Sequence, residues 1–189
     1  MEQRSPFAFR FSICGFHELK DFYGAGVSHV LSILDPDISR PADLLPFMSH
    51  QRLELRFNDI VDECDGKVAP QREHIERLLD FGRAISRETK APPHILIHCH
   101  AGLSRSTAAM ILLLAQARPD VSADDVFAEI VKIRPNAWPN LRMIELGDAL
   151  LARNGQLIDA ARRHYARAVA RDPELRRTLI MSGRGREVS

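Results

Sequence analysis

The strongest constraint on the fold is a short apolar run that leads directly into a glycine-containing loop and then into a helical pattern. The run covers 94–98, the loop 99–104 and the helical pattern 104–116. A β-branched apolar run of this length predicts a buried strand, so the three segments predict a strand, a tight loop and a helix. In α/β sheets, sites form where the carboxyl end of a strand meets a helix, which makes this loop the first candidate.

Other apolar runs predict further strands, and helical patterns lie between and after them. The predicted strands cover 9–14, 28–34 and 52–57. The predicted helices cover 42–48, 71–87, 120–133 with Ser122 as N-cap, 138–153 and 157–170. Strands that alternate with helices, followed by a helical C-terminal half, predict an α/β fold in which helices flank a central, mostly parallel sheet. We expect one domain over 1–181 and a disordered polar tail over 182–189.

Charge and hydropathy argue against several classes of partner. The chain has 26 Lys and Arg residues against 25 Asp and Glu, a formal net charge of +1, which gives no electrostatic case for a nucleic acid or a membrane surface. The longest apolar stretch, 108–115, is too short to cross a bilayer. Residues 1–10 contain no long apolar run, so we expect no secretory signal there.

The cysteines point to a reducing compartment. Cys14, Cys64 and Cys99 are odd in number and widely spaced, which fits neither a disulfide framework nor a paired metal motif. His98, Cys99 and His100 are adjacent, but neighbouring residues on a strand point to opposite faces, so we expect no metal there. We therefore expect a cytoplasmic protein without a metal or other cofactor.

The spacing of Cys99 and Arg105 favours anion binding. Five residues separate them, and a loop of that length can curl so that successive backbone N–H groups converge on one anion. Gly102 permits a positive φ or a close backbone approach. The helix that begins near Ser104 adds unpaired N–H groups and the positive end of its dipole, and this setting also favours the thiolate of a cysteine at its centre.

Each residue of the loop has an expected role. Arg105 is suited to hold two phosphate oxygens at once, and the Ser106 hydroxyl can donate to the sulfur of Cys99. We expect His98 to orient the loop rather than to transfer protons. The predicted phosphate-binding residues are His100, Ala101, Gly102, Leu103, Ser104 and Arg105.

These residues carry a resemblance to a known family. His98-Cys99, five intervening residues and Arg105-Ser106 match the signature of the cysteine-based protein tyrosine phosphatases, and the loop is most similar to their dual-specificity branch. The segments 19–34, 55–59 and 134–140 resemble the helix-turn-strand, the acid loop and the late helix-loop of that branch. The resemblance implies a cysteine phosphatase fold and hydrolysis of phosphotyrosine, and of phosphoserine or phosphothreonine, in a phosphoprotein or phosphopeptide.

A phosphate ester needs a proton on its leaving oxygen, so a carboxylic acid should face the loop. The resemblance implies an aspartate that follows a strand upstream of the signature, and Asp59, Asp62 and Asp65 lie in that segment. We favour Asp59, which comes directly after the predicted strand, and keep Asp62 as the alternative. The implied reaction passes through a phosphate ester of Cys99 and requires no metal.

Two other functions stay open at this point. One is a pseudophosphatase that binds phosphoproteins without turnover, which requires a missing or misplaced acid. The other is a rhodanese-like or arsenate-reductase-like enzyme, because those proteins also have a loop with a cysteine and an arginine.

Some side chains outside the loop have two interpretations. Cys64 either forms a reversible disulfide with Cys99 or, as we favour, is a plain loop thiol. Asn140 either supports the phosphate loop or caps a helix. The arginines on the polar face of the last predicted helix are expected to be solvated; they are Arg162, Arg163, Arg167 and Arg171.

Overall fold

Parallel strands form the centre of the fold. The computed structural model describes residues 9–87 and 92–189, and within these ranges it contains four strands and six α-helices. The strands are β1 (Arg10–Cys14), β2 (His29–Leu34), β3 (Gln51–Arg56) and β4 (His94–His98). They pair in the order β1-β4-β2-β3, with each pair parallel. The carboxyl ends of all four therefore meet at one edge of the sheet, and the predicted α/β fold is confirmed.

Helices cover this sheet and form the second half of the chain. The α-helices are α1 (Arg72–Ser86), α2 (Arg105–Ala117), α3 (Ala123–Ile133), α4 (Leu141–Leu150), α5 (Gln156–Arg171) and α6 (Pro173–Met181). Shorter 3-10 segments cover Phe16–Phe22, Ala42–Phe47 and Gly185–Glu187. The segment predicted as a helix over 42–48 forms a 3-10 turn, and Pro46 within it cannot donate the backbone hydrogen bond that an α-helix needs. No helix in the described ranges is both long and apolar enough to span a bilayer.

The central strands are buried on both faces, as expected for a parallel sheet. Side chains of β2 and β4 alternate between two apolar clusters. Leu31 and Ile97 belong to the larger cluster, which also contains side chains of helices α1 to α5. Val30 and Leu96 lie in the smaller cluster on the opposite face, with Leu19 from the first 3-10 segment. Full burial of such a side chain stabilises the fold by roughly 1.5–3 kcal/mol.

Helix α2 lies at the core and starts at the end of the loop that follows β4. Its residues 105–115 are all buried. Helix α4 approaches it closely at Gly147, where an added Cβ would lie 2.2 Å from Cδ2 of Leu112. The loop is thus connected to two rigid elements, a central strand and a central helix.

The helix caps explain where two helices begin. The Ser122 side chain accepts from the amide of Asp125 at 3.1 Å, as predicted for α3. The helix predicted over 138–153 begins only at Leu141. Trp138 precedes a proline, which disfavours helical backbone there.

The C-terminal end differs from expectation. Helix α6 was not predicted, although Pro173 at its first turn is a typical start signal. Residues 182–189 do not form the disordered tail that their composition predicts, because Glu187 and Val188 are buried. The Glu187 carboxylate accepts from Trp138 Nε1 at 2.6 Å and from the amide of Leu141 at 3.2 Å. The expectation about residues 1–10 concerns residues that, except for the last two, lie outside the described ranges.

Candidate active site

Other segments hold the loop 99–104 in place by hydrogen bonds to its carbonyl groups. The amide of Phe16 donates to the carbonyl of His100 at 3.0 Å, and the amide of Trp138 donates to the carbonyl of Leu103 at 2.8 Å. The Leu103 carbonyl also accepts from the hydroxyl of Thr107 at 2.6 Å.

These anchors determine which way the amides point. In a trans peptide the C=O of one residue and the N–H of the next point in opposite directions. The N–H groups of Ala101 and Ser104 therefore face away from the anchors. Together with the first turn of α2, they give the concave side of the loop a positive potential suited to an anion.

Gly102 has both properties for which a glycine was expected. Its φ is +73°, in the left-handed region. A Cβ on this residue would lie 2.5 Å from the carbonyl carbon of Cys14 and 2.6 Å from the nitrogen of Gly15. The end of β1 therefore packs directly against the loop backbone at this point.

Cys99 lines a pocket. The residue is only 2% exposed, and its Sγ lies 3.2 Å from the hydroxyl oxygen of Ser106. The pocket has a volume of about 870 Å³ and is also lined by Asp35, Asp59 and Arg105. This volume is within the usual range for small-molecule sites, so the thiol has a route to a ligand despite its burial.

Arg105 lines the same pocket as Cys99, and one end of its guanidinium is fixed. Its Nη1 donates to the carbonyl of Phe57 at 2.7 Å and to the carboxylate of Asp35. Its Nε is buried, and no described group accepts from it. A buried donor of this kind suits a bound oxyanion. Asp35 was not among the predicted site residues, although its position directly after β2 at the shared sheet edge could have identified it.

Asp59 lies in the pocket and Asp62 does not. Oδ1 of Asp59 accepts from the hydroxyl of Ser104 at 2.7 Å and from Nδ2 of Asn140 at 2.9 Å. The Asp62 side chain is 56% exposed and forms an ion pair with Nε of Arg186 at 2.7 Å. Of the two candidate acids, the structure brings Asp59 together with the loop.

Asn140 has both of the roles between which the sequence could not decide. Its Oδ1 accepts from the amide of Met143 at 3.1 Å and so caps α4. Its Nδ2 donates to Asp59 and to the carbonyl of Ile60, and its own amide donates to the carbonyl of Ser104 at 3.4 Å. One buried side chain therefore connects the segment that follows β3 with the start of α4.

His98, Cys14 and Cys64 do not line the pocket. His98 is fully buried, and its Nε2 lies 2.7 Å from the hydroxyl of Ser32. Burial lowers the pKa of His98 to about 4, so the ring is neutral at neutral pH. Burial likewise raises the pKa of Cys14 to about 12. Cys64 is exposed and does not line the pocket, so it makes no contact with Cys99 there.

The outer wall of the pocket comes from the last two helices and the tail. Ala168 and Arg171 of α5 and Leu175 and Leu179 of α6 line it. Arg171 therefore borders the pocket, whereas the sequence predicted only solvated arginines on this helix. Within the described ranges, no cluster of three or more His, Cys, Asp or Glu side chains could hold a metal ion.

Arg184 is another pocket residue that sequence reasoning missed. It belongs to the segment predicted to be disordered, yet its Nη1 lies 3.3 Å from Oδ2 of Asp59 and its Nη2 donates to the hydroxyl of Ser104 at 3.0 Å. No sequence signal marks this contact, because the two partners lie far away along the chain.

Comparisons with known proteins agree with this architecture. No protein-family model matches the chain. The human protein phosphatase Slingshot homolog 3 is 29% identical over 98 residues, which make up 50% of this chain and only 14% of that protein.

Solved structures are similar over most of the chain. The human tyrosine phosphatase-like serine/threonine/tyrosine-interacting protein superposes with a TM-score of 0.57 at 18% identity, covering 76% of this chain and 92% of its own. The Yvh1 phosphatase domain from Chaetomium thermophilum gives 0.51 at 19% identity, with 82% and 96% covered. Human DUSP28 gives 0.54 at 17% identity, with 76% and 94% covered. The fold that the resemblance implies is thereby confirmed: the chain has the fold of the cysteine-based protein tyrosine phosphatases in its dual-specificity form.

Proposed function

We propose that the chain is a phosphate monoester hydrolase of the dual-specificity type, which acts through a phosphate ester of Cys99. The observation that carries this proposal is the shared pocket. Cys99, Arg105 and Asp59 all line it. A nucleophile, an anion-binding cation and a proton donor that border one cavity are the groups that this reaction requires.

In the first step, the thiolate of Cys99 attacks the phosphorus atom. A bond forms between sulfur and phosphorus while the bond from phosphorus to the leaving oxygen breaks. Asp59 gives its proton to that oxygen, which departs as an alcohol or phenol. Arg105 and the loop amides bind the equatorial oxygens, where negative charge is spread in the transition state.

In the second step, water replaces the sulfur. Asp59, now a carboxylate, takes a proton from a water molecule as its oxygen bonds to phosphorus, and the sulfur–phosphorus bond breaks. The Ser106 hydroxyl, 3.2 Å from Sγ, donates to the departing thiolate and stabilises it. The neutral ring of His98, which is hydrogen-bonded to Ser32, positions the end of β4 and exchanges no proton in either step.

We further propose that the substrate is a phosphoprotein or phosphopeptide. The support is the human relative, which is named a protein phosphatase and of which 14% aligns with this chain. The pocket volume of about 870 Å³ also admits an aromatic ring in front of the loop.

Turnover of simple esters tests the proposal. We expect the wild type to hydrolyse p-nitrophenyl phosphate and a phosphotyrosine peptide. Cys99→Ser should abolish both activities while the peptide still binds, because serine lacks a readily ionised nucleophile. The matched control is Cys64→Ser, which removes an exposed thiol outside the pocket and should leave both rates unchanged.

Two results would contradict the proposal. Binding of the phosphopeptide without turnover by the wild type would favour a pseudophosphatase. Turnover of thiosulfate or arsenate, with none of the phosphate esters, would favour the rhodanese-like or arsenate-reductase-like alternative.

A further inference from the structure

Arg184 contacts both sides of the pocket at once. Its Nη1 lies 3.3 Å from Oδ2 of Asp59, and its Nη2 donates to the Ser104 hydroxyl at 3.0 Å. Ser104 in turn donates to the other carboxylate oxygen of Asp59. The guanidinium therefore bridges the coil that carries the proposed acid and the loop that carries the nucleophile.

The guanidinium is itself locked in place by Glu187. This buried carboxylate accepts from Nε of Arg184 at 2.7 Å and from its Nη2 at 2.8 Å. It also accepts from Trp138 Nε1 and from the amide of Leu141 at the start of α4. A buried carboxylate with this many donors is well satisfied, and the paired contact fixes the plane of the arginine.

The contact of Arg184 with Oδ2 of Asp59 restricts a rotation of the carboxylate that the contacts on Oδ1 still allow. Asp59 lies in a coil after β3, where backbone hydrogen bonds of Asn58 and Ile60 hold the chain but leave the Asp59 carboxylate free to turn. Ser104 and Asn140 both bind Oδ1, about which the carboxylate could still turn. Arg184 binds Oδ2, so the plane of the carboxylate is defined relative to the loop.

We infer that Arg184, held in place by Glu187, is a positioning residue for Asp59. This inference rests on the proposed function. Misplacement of a catalytic group by about 1 Å can lower a rate by about a hundredfold, so a contact that fixes such a group influences turnover without touching the substrate. Its effect should be largest where protonation of the leaving group matters most.

A double-mutant cycle on Asp59 and Arg184 tests the inference. Arg184→Met keeps the length of the side chain and removes its donors. We expect it to lower kcat for phenyl phosphate about tenfold, the size of a lost hydrogen bond to a charged group. The loss should be smaller for p-nitrophenyl phosphate, whose leaving group is more acidic. In an Asp59→Asn background, Arg184→Met should change kcat less than twofold, because the group it positions is already disabled.

Two further variants separate positioning from stability. Arg177→Met is the matched control, because Arg177 is an exposed arginine of α6 that does not line the pocket. We expect its kcat to equal that of the wild type. Arg184→Lys keeps a cation beside Glu187 but cannot reach Asp59 and Ser104 together, so it should lose less than Arg184→Met. Thermal unfolding of each variant identifies any that fail to fold, and the cycle is then run with Arg184→Lys.

The outcomes distinguish this inference from the proposed function. Equal losses from Arg184→Met in the wild-type and Asp59→Asn backgrounds would show a merely structural role and overturn the inference. So would equal losses for the two aryl phosphates. In both cases the hydrolase proposal stands, provided that the wild type is active and Cys99→Ser is not. An inactive wild type would overturn both.

Discussion

On one side of the pocket, the loop between β4 and α2 is held mainly by main-chain groups, such as the amides of Phe16 and Trp138. On the other side, Asp59 lies in a coil and is held by side chains. Two of these, from Asn140 and Arg184, are 81 and 125 residues away along the chain. The loop geometry therefore depends on backbone packing, whereas the acid depends on a few individual side chains.

This difference predicts two kinds of sensitivity. Changes on the acid side should alter turnover while the protein stays folded, because each contact there is one side chain among several. Changes in the loop backbone should lower stability, because the end of β1 packs directly against it at Gly102.

The largest effect is expected on the acid side. Asp59→Asn should lower kcat for phenyl phosphate about a hundredfold and leave substrate binding largely intact, because asparagine cannot give a proton to the leaving oxygen. Steady-state kinetics, which give kcat and KM for both proteins, measure this. Asp62→Asn is the control: its exposed carboxylate pairs with Arg186 outside the pocket, so its kcat should stay within about twofold of the wild type. The reverse pattern would transfer the acid role to Asp62.

The loop side is tested by adding one methyl group. Gly102→Ala places a Cβ at 2.5 Å from the carbonyl carbon of Cys14, where only backbone movement can relieve the overlap. The control, Gly66→Ala, has a similar φ of +75° but no atom within 4 Å of the new Cβ. Both variants incur the left-handed strain of about 1–2 kcal/mol. Overpacking should lower the free energy of unfolding of Gly102→Ala by about 2 kcal/mol more, measured by urea denaturation. Equal losses would show that the loop does not depend on this contact.

The same contrast explains how much of the site could be predicted from the sequence. The loop is contiguous, so residue types and spacing carry both its geometry and its chemistry. Asp59 could be favoured over Asp62 because it directly follows a strand, but its contacts with Ser104 and Asn140 could not be predicted. Arg184 could not be found, since its contact exists only because Glu187 is buried against the start of α4.

The fold was predictable where short-range patterns determine it. β4 has the predicted bounds, and the other strands differ by a residue or so at their ends, where backbone pairing rather than side-chain pattern sets the limit. Helix α6 and the segment after it were missed. Their sequence is rich in arginine and glutamate, and its polar character says nothing about the buried partners that those charges find in the fold.

The smallest effect concerns His98 at the end of β4, whose ring is buried in its neutral form next to the loop. His98 is buried beside Ser32, and its pKa of about 4 lies below the value of about 6.5 expected in the unfolded chain. Between these pH values the unfolded state binds more protons. Stability should therefore be unaffected by this group above pH 6.5 and should fall as the pH drops towards 4, by at most about 1.4 kcal/mol per pH unit.

Urea denaturation between pH 4.5 and 7 measures this slope. The pKa values of His74, His94 and His164 are also lowered by burial and add slopes of the same sign, so the difference between variants is the relevant quantity. His98→Gln should have a shallower slope than the wild type, whatever its stability at pH 7. The control His17→Gln, which changes an exposed ring, should keep the wild-type slope. Equal slopes for all three proteins would mean that His98 has the same pKa in the folded and the unfolded chain. The ring would then be exposed to water, contrary to its burial beside Ser32.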